Sequence, residues 1–263
     1  MKNDTIITIW QSCCKDDGEV LLCGGLDLEE ADRCISFDGA SWTALPTNSN
    51  EKHCYYDTPN VMTSEGWWVT GRKQTSSIGD CSGTTSEIYT GEEWIPGPAL
   101  PTSQYSIFSC VASLSANQIM ITGGKETPKN GFIYDLSTSE WEETSSITNG
   151  RYGHGCVSLG EQGVLIAGGY SDERSVELYD PVDGSWSTNL DLPQDVDTRW
   201  PILLNREGEV LALFYGESVI YRRSKEDGSW SVLEGVELPS EDTEYWPGLA
   251  VLVPDDFAQD ACL

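Results

Sequence analysis

Between residues 154 and 190 the chain carries four short stretches whose hydrophobic and polar positions follow strand rules. HGCVSL and GVLIAGG are compact apolar runs, the second stopped by glycines; SVELYDP alternates apolar and polar residues up to a proline; GSWSTNL follows a turn. No stretch shows a 3.6-residue period, so the pattern predicts four short β-strands and almost no helix.

The same pattern recurs along the chain. LLCGG ends at Gly25, VTGR places Gly71 at the matching spot, ITGG ends at Gly124 and IAGG ends at Gly169. An aromatic residue follows each (Phe37, Tyr89, Tyr134, Tyr179, and Tyr221 in a fifth copy), and then Trp42, Trp94, Trp141, Trp186 and Trp230, spaced by 52, 47, 45 and 44 residues. A third marker, Tyr105, Tyr152, Trp200 and Trp246, is spaced by 47, 48 and 46. A shared period of this length with four strands per unit is the mark of a propeller blade.

With its diglycines (Gly24, Gly25, Gly123, Gly124, Gly168, Gly169, with Gly71 in the second copy), aromatic-Asp pairs and spaced tryptophans, the sequence resembles the kelch-repeat β-propeller family. The resemblance implies an all-β fold of five complete four-stranded blades plus the first strand of a sixth. The repeats run over about residues 5–47, 51–101, 103–147, 149–193 and 197–239, with a partial unit at 244–254, in one domain spanning 1–263. Kelch propellers commonly have six or seven blades, so the chain is expected to be a fragment of a longer ring, with a five-bladed ring as the alternative. The resemblance also implies that the aromatics pack between blades. The second copy departs from the pattern at Arg72 and Thr90, and the fifth lacks the diglycine.

Composition narrows the function. With 43 acidic against 15 basic residues, a formal net charge of −28 repels phosphate backbones, which argues against nucleic-acid binding and against anionic membranes. No apolar run is long enough to span a bilayer and no signal-peptide pattern opens the chain, so no membrane insertion is expected.

Chemistry is sparse. The diglycines lack the order of a phosphate-binding loop and no helical pattern follows them. His53 and His154 are the only histidines, too few to make a metal site or a catalytic triad evident. The expectation is a non-catalytic protein with no metal and no cofactor. A copper oxidase resembling galactose oxidase is the third-ranked alternative.

Nine cysteines without a C-x-x-C leave the compartment open. Cys23 and Cys34 fall on adjacent strands beside one loop, where a disulfide is plausible; it would imply an oxidising, extracellular location, with the cytoplasm as the alternative. Cys110 and Cys156 both fall on first strands, where a buried free thiol is the alternative to pairing.

The leading functional expectation is a scaffold presenting loops to a protein partner. The loops after the diglycine strand (26–33, 72–87, 125–131, 170–175) and between blades (47–53, 148–153, 194–199, 240–245) form the expected face. Arg72, Lys73, Arg151, Arg174 and Arg199 are its candidate contacts, poised for an acidic peptide. The alternative is an extracellular carbohydrate- or matrix-binding module using Trp200 and Trp246 as stacking platforms.

Overall fold

A computed structural model describes residues 13–14, 20–23, 34–37, 41–47, 49–50, 60–70, 73–74, 81–82, 85–101, 108–170, 174–194, 196–206, 208–215, 217 and 219–234. Among the described residues it is all-β apart from one 3₁₀ turn at Gly160–Gln162. Blade 1 holds β1 (Cys13–Cys14), β2 (Val20–Cys23), β3 (Cys34–Phe37) and β4 (Trp42–Ala44). Blade 2 holds β5 (Asn60–Thr63), β6 (Gly66–Thr70), β9 (Ser86–Tyr89) and β10 (Trp94–Pro96), with the small hairpin β7 (Lys73–Gln74) and β8 (Cys81–Ser82) inserted in its long loop. Blade 3 holds β11 (Cys110–Ser115), β12 (Gln118–Thr122), β13 (Gly131–Asp135) and β14 (Glu140–Glu143). Blade 4 follows with β15 (Gly155–Ser158), β16 (Val164–Ala167), β17 (Val176–Asp180) and β18 (Ser185–Thr188). Blade 5 holds β19 (Asp197–Arg206), β20 (Glu209–Tyr215), β21 (Tyr221–Arg223) and β22 (Trp230–Val232).

Each blade is an antiparallel meander, and the first strands β1, β5, β11, β15 and β19 lie against one another in that order, which is a propeller arrangement. The expected first strand of a sixth unit, 244–254, lies outside the described residues, as do Gly24, Gly25, Gly71, Arg72, His53, Tyr105 and Trp246.

The core is a stack of layers between blades. Val61, Trp68, Ile88, Val111, Ile119 and Ile121 fill the layer between blades 2 and 3. Ala112, Leu114, Met120, Val164 and Ile166 fill the next, and Leu165, Ala167, Leu203, Val210, Ala212 and Phe214 the one after. A second strand is thus covered on both faces, which is why VLIA in β16 is apolar at every position and wholly buried. The outermost strands have one wet face, and β14 reads Glu-Trp-Glu-Glu with only its tryptophan half-buried.

The repeated tryptophans of blades 2, 3 and 4 bind each of those blades to the one before. Trp94 Nε1 donates to the Thr47 carbonyl at 3.2 Å, Trp141 to Ala99 at 2.9 Å and Trp186 to Ser145 at 3.0 Å. Within the blade each packs on the repeat's tyrosine, with ring centroids 5.0–5.2 Å apart for Tyr89–Trp94, Tyr134–Trp141 and Tyr179–Trp186. Trp42 pairs in register with Phe37.

Blade 5 departs from the repeat as read from sequence. Trp230 lies opposite Arg223, as Trp186 lies opposite Tyr179, so Arg223 and not Tyr221 takes the tyrosine's place. The same register puts Phe214 and Tyr215 where Gly168 and Gly169 stand in blade 4. Arg223 is buried and its Nη2 donates to Asn189 Oδ1 at 2.8 Å, while burial lowers its pKa.

The diglycine serves the seam between blades. Gly123 and Gly168 have φ of +61° and +72°, and a Cβ on either would lie 2.4 Å from a backbone carbonyl of the next blade, Arg151 and Thr198 respectively. The second glycines close the contact, with Gly124 N donating to Arg151 O and Gly169 N to Thr198 O, both at 3.0 Å. Only glycine combines this backbone conformation with so close an approach.

Candidate partner-binding face

The entrances to β11, β15 and β19 converge beside the diglycine loops. Gly153 N donates to Phe108 O at 2.8 Å and Trp200 N donates to Gly153 O at 2.7 Å. These three residues share a left-handed backbone, with φ of +76°, +60° and +50° at Phe108, Gly153 and Trp200. They are therefore the equivalent positions of blades 3, 4 and 5. The sequence marker that aligned Tyr152 with Trp200 is one residue out of step; Tyr152 corresponds to Arg199.

Left-handed backbone at Phe and Trp is uncommon and is held here by the main-chain bonds of neighbouring blades. Its result is a cluster of four half-buried aromatics from three blades. Tyr152 and Tyr170 stack with centroids 4.9 Å apart and an interplanar angle of 8°. Trp200 meets Tyr170 edge-on at 5.0 Å, and Phe108 meets Trp200 at 5.7 Å.

At the rim, the Arg199 guanidinium lies 5.6 Å from the centre of the Tyr170 ring and is gripped by both carboxylate oxygens of Asp197. That pairing lowers the Asp197 pKa and raises that of Arg199. Burial raises the Tyr170 phenol pKa, so it stays a neutral donor and acceptor at physiological pH.

Beneath the aromatics lies a buried polar layer. Arg151 is wholly buried; it donates to the carbonyls of Gly168 and Ser175 at 3.0 Å, to Ser175 Oγ at 2.8 Å and to Glu177 Oε1 at 2.7 Å. Glu177, equally buried, also accepts from the backbone N–H groups of Thr148 and Asn149. His154 Nε2 shares a hydrogen bond of 2.9 Å with the Thr122 hydroxyl, and its pKa is well below the ordinary 6.5 because of burial first and the nearby Arg151 second.

The arginine cluster expected from sequence is not assembled by the described residues. Arg151 is wholly buried and paired with Glu177. Arg174 donates to the Leu192 carbonyl through Nε and Nη2. Arg199 reaches the aromatic face, already paired with Asp197. Lys73 starts the small inserted hairpin, opposite Ser82. Tyr170 and Asp197 fall within the expected loops 170–175 and 194–199 without being singled out, and Phe108 lies outside every expected loop, its only signal being an aromatic just ahead of a first strand.

The free-thiol reading of the first-strand cysteines is overturned, whereas that of Cys34 as a bonded cysteine is not. Cys110 and Cys156 are not free; they are joined in a disulfide between the first strands of blades 3 and 4, with Cα atoms 5.9 Å apart. Cys34 is disulfide-bonded as well and stands directly opposite Cys23 in register.

Among the described residues no group of three or more His, Cys, Asp or Glu is placed to hold a metal, and no helix is long and apolar enough to cross a membrane.

No protein-family model matches the chain. Kelch-like protein 35 of Mus musculus is 32% identical over 111 residues, 41% of this chain and 19% of that protein. F-box/kelch-repeat protein SKIP20 of Arabidopsis thaliana is 30% identical over 107 residues, 36% of this chain and 24% of that protein. Kelch repeat and BTB domain-containing protein 13 of Homo sapiens is 37% identical over 118 residues, 40% of this chain and 25% of that protein. The similarity is to kelch-repeat proteins. The matches span a quarter or less of those relatives' own length. In this propeller the diglycines of blades 3 and 4 and the tryptophans of blades 2, 3 and 4 make the contacts across the seams.

Proposed function

We propose that this propeller is a non-catalytic scaffold that holds an extended segment of a protein partner across the aromatic face of blades 3–5. The observation that carries the reading is the convergence of four half-exposed aromatics, Phe108, Tyr152, Tyr170 and Trp200, with Phe108 and Trp200 on an uncommon left-handed backbone. Rigid aromatics supply contact area at little entropic cost, and the Arg199–Asp197 pair adds a polar rim. The names of the relatives, which pair kelch repeats with an F-box or a BTB domain, agree with a role in protein assembly. Of the cationic contacts expected from sequence, Arg199 belongs to this face; Arg72, Lys73 and Arg174 would extend it along the longest loop and blade 4.

The same reading takes the chain as five blades and the start of a sixth within one domain, and pairs Cys23 with Cys34, supported by their opposed register and the bonded state of Cys34. It needs only the folded face, so it holds in an extracellular or a cytoplasmic setting.

Peptide-library selection against the purified protein tests it. Selected peptides should lose at least about tenfold in affinity for Tyr170→Ala and Trp200→Ala, as befits central aromatic anchors. They should bind Glu142→Gln, on the outer strand β14, as they bind the wild type. A glycan array run in parallel on the same proteins separates the carbohydrate alternative: glycan binding abolished by Trp200→Ala, without peptide enrichment, would replace the scaffold reading.

A further inference from the structure

The Cys110–Cys156 bridge lies at the base of the aromatic face. Cys110 opens β11 just after Phe108, Cys156 is the second residue of β15 just after Gly153, and the Gly153 N–Phe108 O bond runs beside them. The bridge therefore ties together two of the three strand entrances that carry the aromatics. Its halves differ in access: Cys110 is 5% exposed, whereas Cys156 is only partly buried. We propose that the Cys110–Cys156 disulfide is a thiol–disulfide exchange site, and that its reduction loosens the seam between blades 3 and 4 where the aromatic face is mounted.

The chemistry is a two-electron exchange with a dithiol. A thiolate of the dithiol attacks Cys156 Sγ, the accessible end; the bond between the two sulfurs breaks and Cys110 leaves as a thiolate, which takes up a proton. The second thiol of the dithiol, deprotonated, then attacks its own sulfur in the mixed disulfide and releases Cys156, which is protonated in turn. The products are two protein thiols and one oxidised dithiol, and an exchange with a disulfide of the same class runs the cycle backwards.

Reduction acts locally, because the rest of the seam is held by other means. Ala112, Leu114, Met120, Val164 and Ile166 stay packed between the blades, and Arg151 keeps its backbone bonds to Pro128 and Gly124. What loses its tether is the pair of strand entrances. The inference goes beyond the scaffold reading and does not rest on it, since its test reads thiols and amide exchange and needs no partner.

The test is differential alkylation with mass spectrometry, combined with hydrogen exchange, on protein prepared in air and titrated with dithiothreitol. Before reduction, the Cys110 and Cys156 peptides should be cross-linked. On reduction, both should become alkylated, and amides at 108–110 and 153–156 should exchange roughly tenfold faster while those of Val164–Ala167 hold their protection. The double variant Cys110→Ser, Cys156→Ser should show the fast seam from the start and no further response there, which separates this bridge from the one at Cys34. Free thiols at both positions in the air-prepared protein would overturn the proposal. So would unchanged seam exchange after reduction, or equal loss of protection at Val164–Ala167. Should the double variant fail to fold, Cys34→Ser reduced in the same way keeps the two bridges apart, because its seam response can come only from Cys110–Cys156 if the proposal holds.

Discussion

Blades 4 and 5 are neighbours with the same strand order, yet they are built on different contacts. Blade 4 has the full set: diglycine against Thr198, Tyr179 on Trp186, the Trp186 bond to Ser145, and Glu177 anchoring Arg151. In blade 5 the equivalent places hold Phe214–Tyr215, Arg223 and Tyr221, and Trp230 Nε1 is buried with no hydrogen-bond partner among the described residues. The contrast separates what makes a blade from what joins blades. Four antiparallel strands with a two-sided second strand suffice for the first. The repeat signature belongs to the second.

The largest effect should come from the buried ion pair. Glu177→Ala leaves Arg151 charged in the interior and strips two backbone N–H groups of their acceptor, which should cost about 3–5 kcal/mol. Tyr221→Ala, at the same position of blade 5, should cost roughly 1–2 kcal/mol because that ring is only partly buried. Urea denaturation reads both, and equal losses would erase the distinction between the blades.

Next come the tryptophans. Trp186→Ala should cost about 3–5 kcal/mol through lost packing and its bond across the seam. Trp230→Ala, with no such bond to lose, should cost about 1 kcal/mol less, one ordinary hydrogen bond. The same denaturation series compares them.

A smaller effect depends on pH. His154 sits at the blade 3–blade 4 seam with a folded-state pKa well below 6.5, whereas Pro201 takes its place at the next seam and cannot titrate. Above about pH 6.5 both folded and unfolded states keep the imidazole neutral and stability is flat with respect to it. Below that, the unfolded chain binds a proton that the folded chain refuses, so stability falls by up to about 1.4 kcal/mol per pH unit until the folded pKa is reached. Denaturation midpoints between pH 7.5 and 5.5 should show this slope, and His154→Gln should flatten it.

The smallest effect restores the repeat. Arg223→Tyr should change stability by less than about 1 kcal/mol, the gain of a tyrosine on Trp230 being offset by the lost bond to Asn189. A thermal melt raised or lowered by many degrees would show that blade 5 is tuned to its arginine.

These blades also show which part of a fold can be read from a chain. Strand content and the period were legible because alternation and glycine stops are local. Tyr221 was matched in place of Arg223 because a two-residue shift keeps every side chain on the same face, so the polarity pattern cannot detect it. Trp200 was matched to Tyr152 because the true equivalence with Phe108 and Gly153 resides in backbone angles, which their side chains do not share. Arg151 read as a rim charge because its partner is an alternating strand residue 26 positions away that nothing local points to. The Cys110–Cys156 pair was the missed opportunity: a separation of 46 residues, near the repeat period, puts two cysteines on adjoining first strands.

The shared conformation of Phe108, Gly153 and Trp200 has a consequence for engineering. Main-chain bonds to adjoining blades set that backbone, so it accepts the smallest and the largest side chains alike. Positions 108 and 200 are therefore addresses where one aromatic can be exchanged for another, or for glycine, without moving the main chain that joins the blades, whereas β-branched residues would strain it. Position 153 is closed to such use, since a Cβ there would lie 2.8 Å from the Trp200 indole nitrogen.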